Sequence, residues 1–137
     1  MKQNIKMTTL KNGLRVITDT VEAVESVALG VWAGVGTRNE DLKHNGVAHM
    51  VEHMLFKGTK RRDAQAIVEE IEAVGGHMNA YTSREVTSYH CHLVKEEMPL
   101  ALDVIADMLQ HHTMPQAEVE KERSVILQEI GMATDTP

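Results

Sequence analysis

The chain has 137 residues, the length of a single domain, and its 14 Lys and Arg against 20 Asp and Glu give a net charge of −6. This charge excludes an electrostatic match to nucleic acid or an anionic membrane surface, and no apolar run approaches the ~20 residues that span a bilayer. A hydrophobic content of 42% excludes a disordered chain, and the single cysteine excludes an internal disulfide and fits a reducing compartment.

The first quarter of the chain predicts β-strands. Residues 5–10 and 14–18 flank Asn12-Gly13, a dipeptide that is typical of a tight hairpin. Residues 26–34 form a mostly apolar run, which predicts a strand that is buried on both faces. The polar residues 36–45 then predict a loop.

Two helices are predicted after this loop. The first covers residues 46–56 and the second residues 64–74. Asp63 is the expected N-cap of the second helix, and Gly75-Gly76 is expected to end it.

The remainder predicts two more strands and two more helices. Residues 77–94 alternate in polarity on either side of residues 83–85, which predicts a pair of strands. Pro99 and Pro115 begin the third and fourth helices, and the fourth extends to about residue 133. This order of elements predicts an α+β domain with helices packed on a mixed or antiparallel sheet. The faces expected to point inward consist of Ala64, Ile67, Val68, Ile71 and Val74, of Leu100, Val104, Ile105, Met108 and Leu109, and of Val119, Ile126, Ile130 and Ala133.

The first predicted helix contains His49-Met50-Val51-Glu52-His53, the sharpest feature in a chain with eight histidines. On a helix, His49 and His53 lie one turn and roughly 40° apart, so both imidazoles can reach one zinc ion. Glu52 lies close enough to act on a metal-bound water without taking a ligand position. The alternative is a pair of surface histidines with an incidental glutamate between them.

A catalytic zinc ion usually has three protein ligands and one open position. In the fourth predicted helix, Glu118, Glu122 and Glu129 lie within about 40° of one another on a helical wheel, beside the apolar face. Such a carboxylate row is typical of a solvated helix face. Beside the histidine pair, it is also a candidate source of the missing oxygen ligand.

With these motifs, the chain resembles the pitrilysin-type (inverzincin, HxxEH) zinc metallopeptidases, and among them the branch of the mitochondrial processing peptidase β subunit and its bacterial relatives. The resemblance extends almost from end to end, and several blocks in the same order and spacing carry it. These blocks are LKNGLRV (10–16), GVGTR (34–38), GVAHMVEHMLFKGT (46–59), GGHMNAYTSRE (75–85) and EVEKERSVILQEI (118–130).

The resemblance implies a zinc-dependent endopeptidase and a role for each residue of its metal site. His49, His53 and Glu129 match the zinc ligands, and Glu52 matches the general base that takes a proton from the attacking water. Glu122 matches an acidic residue that supports the catalytic site.

Substrate contacts are implied in the same way. Phe56 matches a residue that lines the pocket for the side chain after the scissile bond. Asn79, Ala80 and Tyr81 match an edge strand that pairs with an extended peptide, because a free sheet edge binds any peptide backbone. The implied substrates are extended peptides or presequence-like segments.

Members of this family are longer chains of repeated α+β domains, so the resemblance implies that residues 1–137 are an incomplete N-terminal catalytic domain. It also implies a homodimeric or heterodimeric partner subunit for the full-length protein. The net charge and the lack of a long apolar run predict no nucleic-acid or membrane partner. The bacterial cytoplasm fits such a protein, and so does the mitochondrial matrix if the protein is eukaryotic and its presequence has been removed.

Two alternatives belong to other functional classes. The first is a non-catalytic, structural or substrate-binding subunit of the same family, although such relatives typically lose the HxxEH residues, all of which are present here. The second is a structural or storage metal site at His90-Cys91-His92, because His90 and His92 share one face of a predicted strand.

Overall fold

A three-stranded antiparallel sheet lies at the centre of the computed structural model, which describes residues 4–135. Its strands are β3 (Ser26–Ala33), β4 (His77–Thr82) and β5 (Thr87–Val94), in the order β3-β5-β4. Leu29 of β3 and Met78 of β4 both lie opposite Cys91 of β5. Strand β5 is therefore central, and β4 is an edge strand of this sheet.

The N-terminal hairpin forms a second, two-stranded sheet. Strands β1 (Ile5–Thr9) and β2 (Arg15–Asp19) pair antiparallel around the predicted Asn-Gly turn. Gly13 has a φ of +89° there, a conformation that favours glycine. The residues of both strands are exposed to solvent.

The four predicted helices are present with closely similar bounds. They are α1 (Val47–Leu55), α2 (Ala64–Glu72), α3 (Met98–His111) and α4 (Gln116–Asp135). The Asp63 carboxylate caps α2 by accepting a hydrogen bond from the Ala66 N–H at 2.8 Å. Gly75, with a φ of +74°, follows the end of α2 and its N–H bonds to the Glu72 carbonyl.

The hydrophobic core lies between the helices and one face of the central sheet. Helix α3 packs against β3 and β5, while α1 and α2 contact β4 and α4 contacts α1. The fully or nearly fully buried members of this core are Leu55, Ile67, Ile71, Tyr89, Cys91, Leu93, Ala101, Val104, Ile105 and Met108. The α+β expectation is confirmed, and among the described residues no helix is long and apolar enough to cross a membrane.

Predictions of burial are wrong in three elements, β3, α2 and α4. Strand β3 is not buried on both faces: its residues are half-buried or exposed, since helices cover one side of the sheet. In α2, Ala64 is exposed and Val68 is 40% exposed, although both were predicted to point inward. In α4, Ile126 is buried, whereas Ile130 and Ala133 are exposed, because within the described residues α4 packs mainly against α1.

Candidate metal centre

The candidate metal centre lies where α1 crosses α4. The N-cap of helix α1 is Gly46, whose φ of +93° other residues would adopt only with strain. The apolar side of α1 buries Met54 and Leu55, which leaves His49 and His53 on the side that faces α4. On α4, Glu122 and Ile126 are buried, and the carboxylates of Glu122 and Glu129 lie next to the two histidines.

Three ligand atoms converge there. The Nε2 atoms of His49 and His53 are 3.1 Å apart. Oε2 of Glu129 lies 3.3 Å from Nε2 of His49 and 3.6 Å from Nε2 of His53. An ion bound tetrahedrally at about 2.0–2.1 Å would have its ligand atoms about 3.3–3.4 Å apart. The observed spacings match that value, so the donor set fits zinc, with two imidazole nitrogens and one carboxylate oxygen.

Glu122 supports this arrangement. Its Oε2 lies 2.8 Å from Nδ1 of His53, so Nδ1–H donates to the carboxylate and Nε2 keeps its lone pair for a metal. Its Oε1 lies 2.7 Å from the Lys57 ammonium. Burial alone would raise the pKa of Glu122, but the hydrogen bonds from Lys57 and His53 outweigh it and leave the pKa below its usual value.

A residue of the central sheet holds the Glu52 carboxylate in place. Oε2 of Glu52 accepts a hydrogen bond from the Thr82 hydroxyl at 2.5 Å, and Thr82 is the last residue of the edge strand β4. Burial, with a smaller contribution from the Glu52 charge, raises the pKa of Tyr89, so this phenol stays protonated at neutral pH. Because the Thr82 hydroxyl bonds to Oε2 of Glu52, the other carboxylate oxygen remains available to accept a proton.

The carboxylate row predicted on α4 divides into two parts. Glu129 is grouped with the histidines, and Glu122 bonds to His53. Glu118 instead pairs with Lys121 on the same helix. Among residues 4–135, the group formed by His49, His53 and Glu129 is the one cluster of three potential ligands close enough to share an ion.

The residues predicted to contact substrate lie at the end of α1 and on β4, a strand that contacts α1. Phe56 caps the end of α1 and is half-buried against the core, with its ring centroid 6.4 Å from that of Tyr89. Asn79 and Tyr81 are exposed on β4, while the half-buried Ala80 packs against the core. Strand β4 pairs with β5 along one side, which places these residues on a sheet edge as expected.

The alternative metal site at His90-Cys91-His92 is not assembled within the described part of the chain. Cys91 is fully buried in the core, and burial raises the pKa of its thiol, which disfavours the thiolate that binds metals. The His90 and His92 rings lie on the opposite face with their centroids 6.1 Å apart, and His90 contacts the Tyr81 ring.

Sequence reasoning missed the residues that hold these groups in place. Lys57 follows His53 by one helical turn, a spacing that could have drawn attention to it. Thr82 carried no local signal, because its contact with Glu52 joins residues 30 positions apart. Asp107, which is buried on α3, accepts hydrogen bonds from Thr59 at 2.7 Å and from Arg62 at 3.0 Å and so fixes the loop after α1.

Comparison with known proteins identifies relatives of this chain. The family model for insulinase (peptidase family M16) matches residues 15–137. The chain is 45% identical to an uncharacterised zinc protease of Streptomyces coelicolor over 97% of its own length and 29% of that protein. It is 47% identical to a probable mitochondrial-processing peptidase subunit beta of Arabidopsis thaliana, over 91% of this chain and 24% of that protein.

Comparison of the folds agrees with the comparison of the sequences. The structure superposes on that of pitrilysin with a TM-score of 0.84 and 27% identity, over 97% of this chain and 14% of that one. The chain therefore spans less than a third of the length of these relatives. Both the sequence and the fold place it in one family: the chain belongs to peptidase family M16, the insulinase family.

Proposed function

We propose that the chain is the zinc-binding part of a metalloendopeptidase that hydrolyses extended peptides, presequence-like segments included. One observation carries the proposal: three potential ligand atoms of His49, His53 and Glu129 lie 3.1–3.6 Å apart, the spacing of ligands around zinc. Relatives that are named zinc proteases support the same metal.

In this proposal His49, His53 and Glu129 hold the ion, and Glu122 orients His53 through its Nδ1–H. When bound, zinc would supply Lewis acidity at the scissile carbonyl and at the attacking water. Glu122 thus supports the ligand His53 and is not itself a ligand. Its pairing with Lys57 keeps it charged and in place.

Glu52 is the proposed general base. The free oxygen of its carboxylate takes a proton from the attacking water, while Thr82 holds the other oxygen. The water oxygen bonds to the carbonyl carbon, the C–N bond breaks, and Glu52 passes its proton to the leaving amine. The products are an amine and a carboxylic acid, which loses its proton to solvent, and Glu52 returns to its starting state.

The edge strand β4 is the proposed substrate-binding element. The free backbone groups along Asn79, Ala80 and Tyr81 would pair with a peptide in an extended conformation. Because Thr82 continues this strand and contacts Glu52, pairing would bring the peptide backbone towards the base. Phe56 is the proposed wall of the pocket for the side chain that follows the scissile bond.

The organisation of the whole protein is proposed from its relatives. Residues 1–137 correspond to an incomplete N-terminal catalytic domain, because the matched relatives are more than three times as long. One relative is named as a subunit, so we infer that the full-length protein works as a homodimer or heterodimer. The bacterial cytoplasm or the mitochondrial matrix is its proposed location.

The test separates zinc binding from catalysis. In the full-length protein, Glu52→Gln is expected to retain one zinc per chain but to lower the kcat for a quenched peptide at least about a hundredfold. His53→Ala is expected to lose both the metal and the activity. Near-normal turnover by the Glu52→Gln protein would contradict the assignment of the base, and equal zinc contents in wild type and His53→Ala would contradict the ligand set.

A further inference from the structure

Glu40 lies outside the HxxEH motif, yet its side chain contacts the beginning of α1. Its Oε2 accepts a hydrogen bond from the Gly46 N–H at 2.7 Å, and its Oε1 accepts one from the Ala48 N–H at 2.6 Å. The N-cap residue, Gly46, has no side chain of its own to accept a bond from the first turn. Glu40 therefore satisfies two donors from upstream of the helix: the N–H of Ala48, which a Ser, Thr or Asp at the N-cap usually satisfies, and the N–H of the N-cap residue itself, which a Glu or Gln in the first turn usually satisfies.

The position of His49 depends on this first turn. Helix α1 begins at Val47, so His49 is its third residue and directly follows Ala48, whose N–H is held by Glu40. The carboxylate also lies at the positive end of the helix dipole, which strengthens the contact. A turn that frays would move His49 away from His53 and Glu129, whereas His53, near the other end of α1, would stay in place.

The backbone that carries Glu40 is itself fixed to the sheet. Residues 37–39 form a 3₁₀ turn, and the Thr37 N–H donates to the Ser83 carbonyl at 3.1 Å, just beyond the edge strand β4. Gly36 packs so closely on this carbonyl that an added Cβ would lie 2.4 Å from its oxygen. The Glu40 N–H then bonds to the Thr37 carbonyl. The carboxylate is thus presented to α1 from a rigid support.

We infer that Glu40 is a positioning residue for the metal centre, which fixes His49 by capping the metal-binding helix from a distant loop. This inference rests on the proposed zinc site. The structure offers a matched control in Asp63, because this carboxylate caps the neighbouring helix α2 through the Ala66 N–H and lies on a helix without proposed ligands.

The experiment measures the zinc dissociation constant of the full-length protein by competition with a chromophoric chelator. Glu40→Ala is expected to weaken zinc binding about tenfold, as other supporting residues of metal sites do. Both Glu40→Ala and Asp63→Ala are expected to lower the thermal midpoint, and by similar amounts, because each removes a helix cap. Asp63→Ala should nevertheless leave the zinc dissociation constant within about twofold of wild type. The visible absorption of bound cobalt should change in the first variant only, because it reports the ligand geometry.

Each possible result supports or contradicts the positioning role of Glu40. Equal dissociation constants for wild type and Glu40→Ala, or the same weakening in Glu40→Ala and Asp63→Ala, would overturn the positioning role. If Glu40→Ala does not fold, Glu40→Gln is judged by the same criterion, because its amide nitrogen cannot accept the second hydrogen bond. A wild-type chain that binds no zinc would overturn the proposed zinc site and, with it, this inference.

Discussion

Nδ1 of His53 lies 2.8 Å from Oε2 of Glu122, and this contact joins α1 to α4 across 69 residues of sequence. The carboxylate is 9% exposed, and its second oxygen contacts the Lys57 ammonium. A potential metal ligand is thus oriented by a buried, charged hydrogen-bond acceptor from another helix. This pattern is common around catalytic zinc ions, where the acceptor selects the tautomer of the histidine.

Loss of the Glu122 charge is expected to weaken zinc binding. Glu122→Gln leaves a neutral acceptor for His53 and no anion for Lys57, so the zinc dissociation constant should rise about tenfold or more. Chelator competition would measure it. Glu118→Gln is the matched control, because Glu118 lies one turn earlier on α4 and pairs with Lys121. A similar weakening in both variants would indicate a general effect of negative charge on α4.

Removal of the Thr82 hydroxyl is expected to slow catalysis without affecting zinc binding. Thr82→Val leaves the Glu52 carboxylate free to rotate, so the kcat of the full-length protein should fall about tenfold while KM stays near its wild-type value. Thr82→Ser keeps the hydroxyl and should restore most of the rate. A Thr82→Ser protein as slow as Thr82→Val would show that packing, rather than the hydrogen bond, matters at this position.

Asp107 is expected to contribute strongly to stability. Its carboxylate is 1% exposed and receives hydrogen bonds from Thr59, Arg61 and Arg62, so Asp107→Asn should lower the free energy of unfolding by about 2–3 kcal/mol. Urea denaturation would measure the change. Asp103→Asn should cost less than about 1 kcal/mol, because the Asp103 side chain is 48% exposed. Equal losses would contradict the central role of Asp107 in this network.

The same residue gives stability a defined dependence on pH. Burial would raise the pKa of Asp107, but the hydrogen bonds from Thr59 and Arg62 and the charge of Arg61 lower it to about 2, from 3.8 for the free side chain. The folded state therefore binds this proton less tightly than the unfolded state. Its contribution is fully present above about pH 4 and is lost as the pH falls towards 2. Urea midpoints between pH 5 and 2 should fall more steeply for wild type than for Asp107→Asn.

The 137-residue chain is expected to self-associate and to hydrolyse peptides poorly when it is alone. Leu127 and Ile130 of α4 are 62% and 55% exposed, and Ile17 of the hairpin is 65% exposed. Light scattering would detect the association, and Leu127→Glu with Ile130→Glu should reduce it. A monomeric wild-type chain that cleaves a quenched peptide as fast as the full-length protein would contradict both expectations.

The local features of the fold could be predicted from the sequence. The Asn-Gly turn, the Asp63 cap and the Gly75 stop are encoded within a few residues, and each appears where it was expected. The burial of individual residues depended instead on which elements, distant in sequence, pack against them. The apolar character of β3 did not reveal that helices would cover only one side of the sheet.

Some residues of the candidate site could likewise be predicted from the sequence, and others could not. The His49 and His53 pair follows from helical spacing alone, and the resemblance pointed to Glu129 on another helix. No periodicity could predict that Glu40 caps α1, or that Thr82 reaches Glu52, because these contacts depend on how a loop and a strand end pack against the helix. Such supporting contacts become visible only in three dimensions.

The most direct test of the account is an anomalous difference map, recorded at the zinc absorption edge from crystals of the zinc-loaded protein. We expect one strong peak, about 2.0–2.2 Å from Nε2 of His49, Nε2 of His53 and a carboxylate oxygen of Glu129. A peak held by other side chains, such as His90 and His92, with none between His49 and His53, would contradict the proposed metal centre.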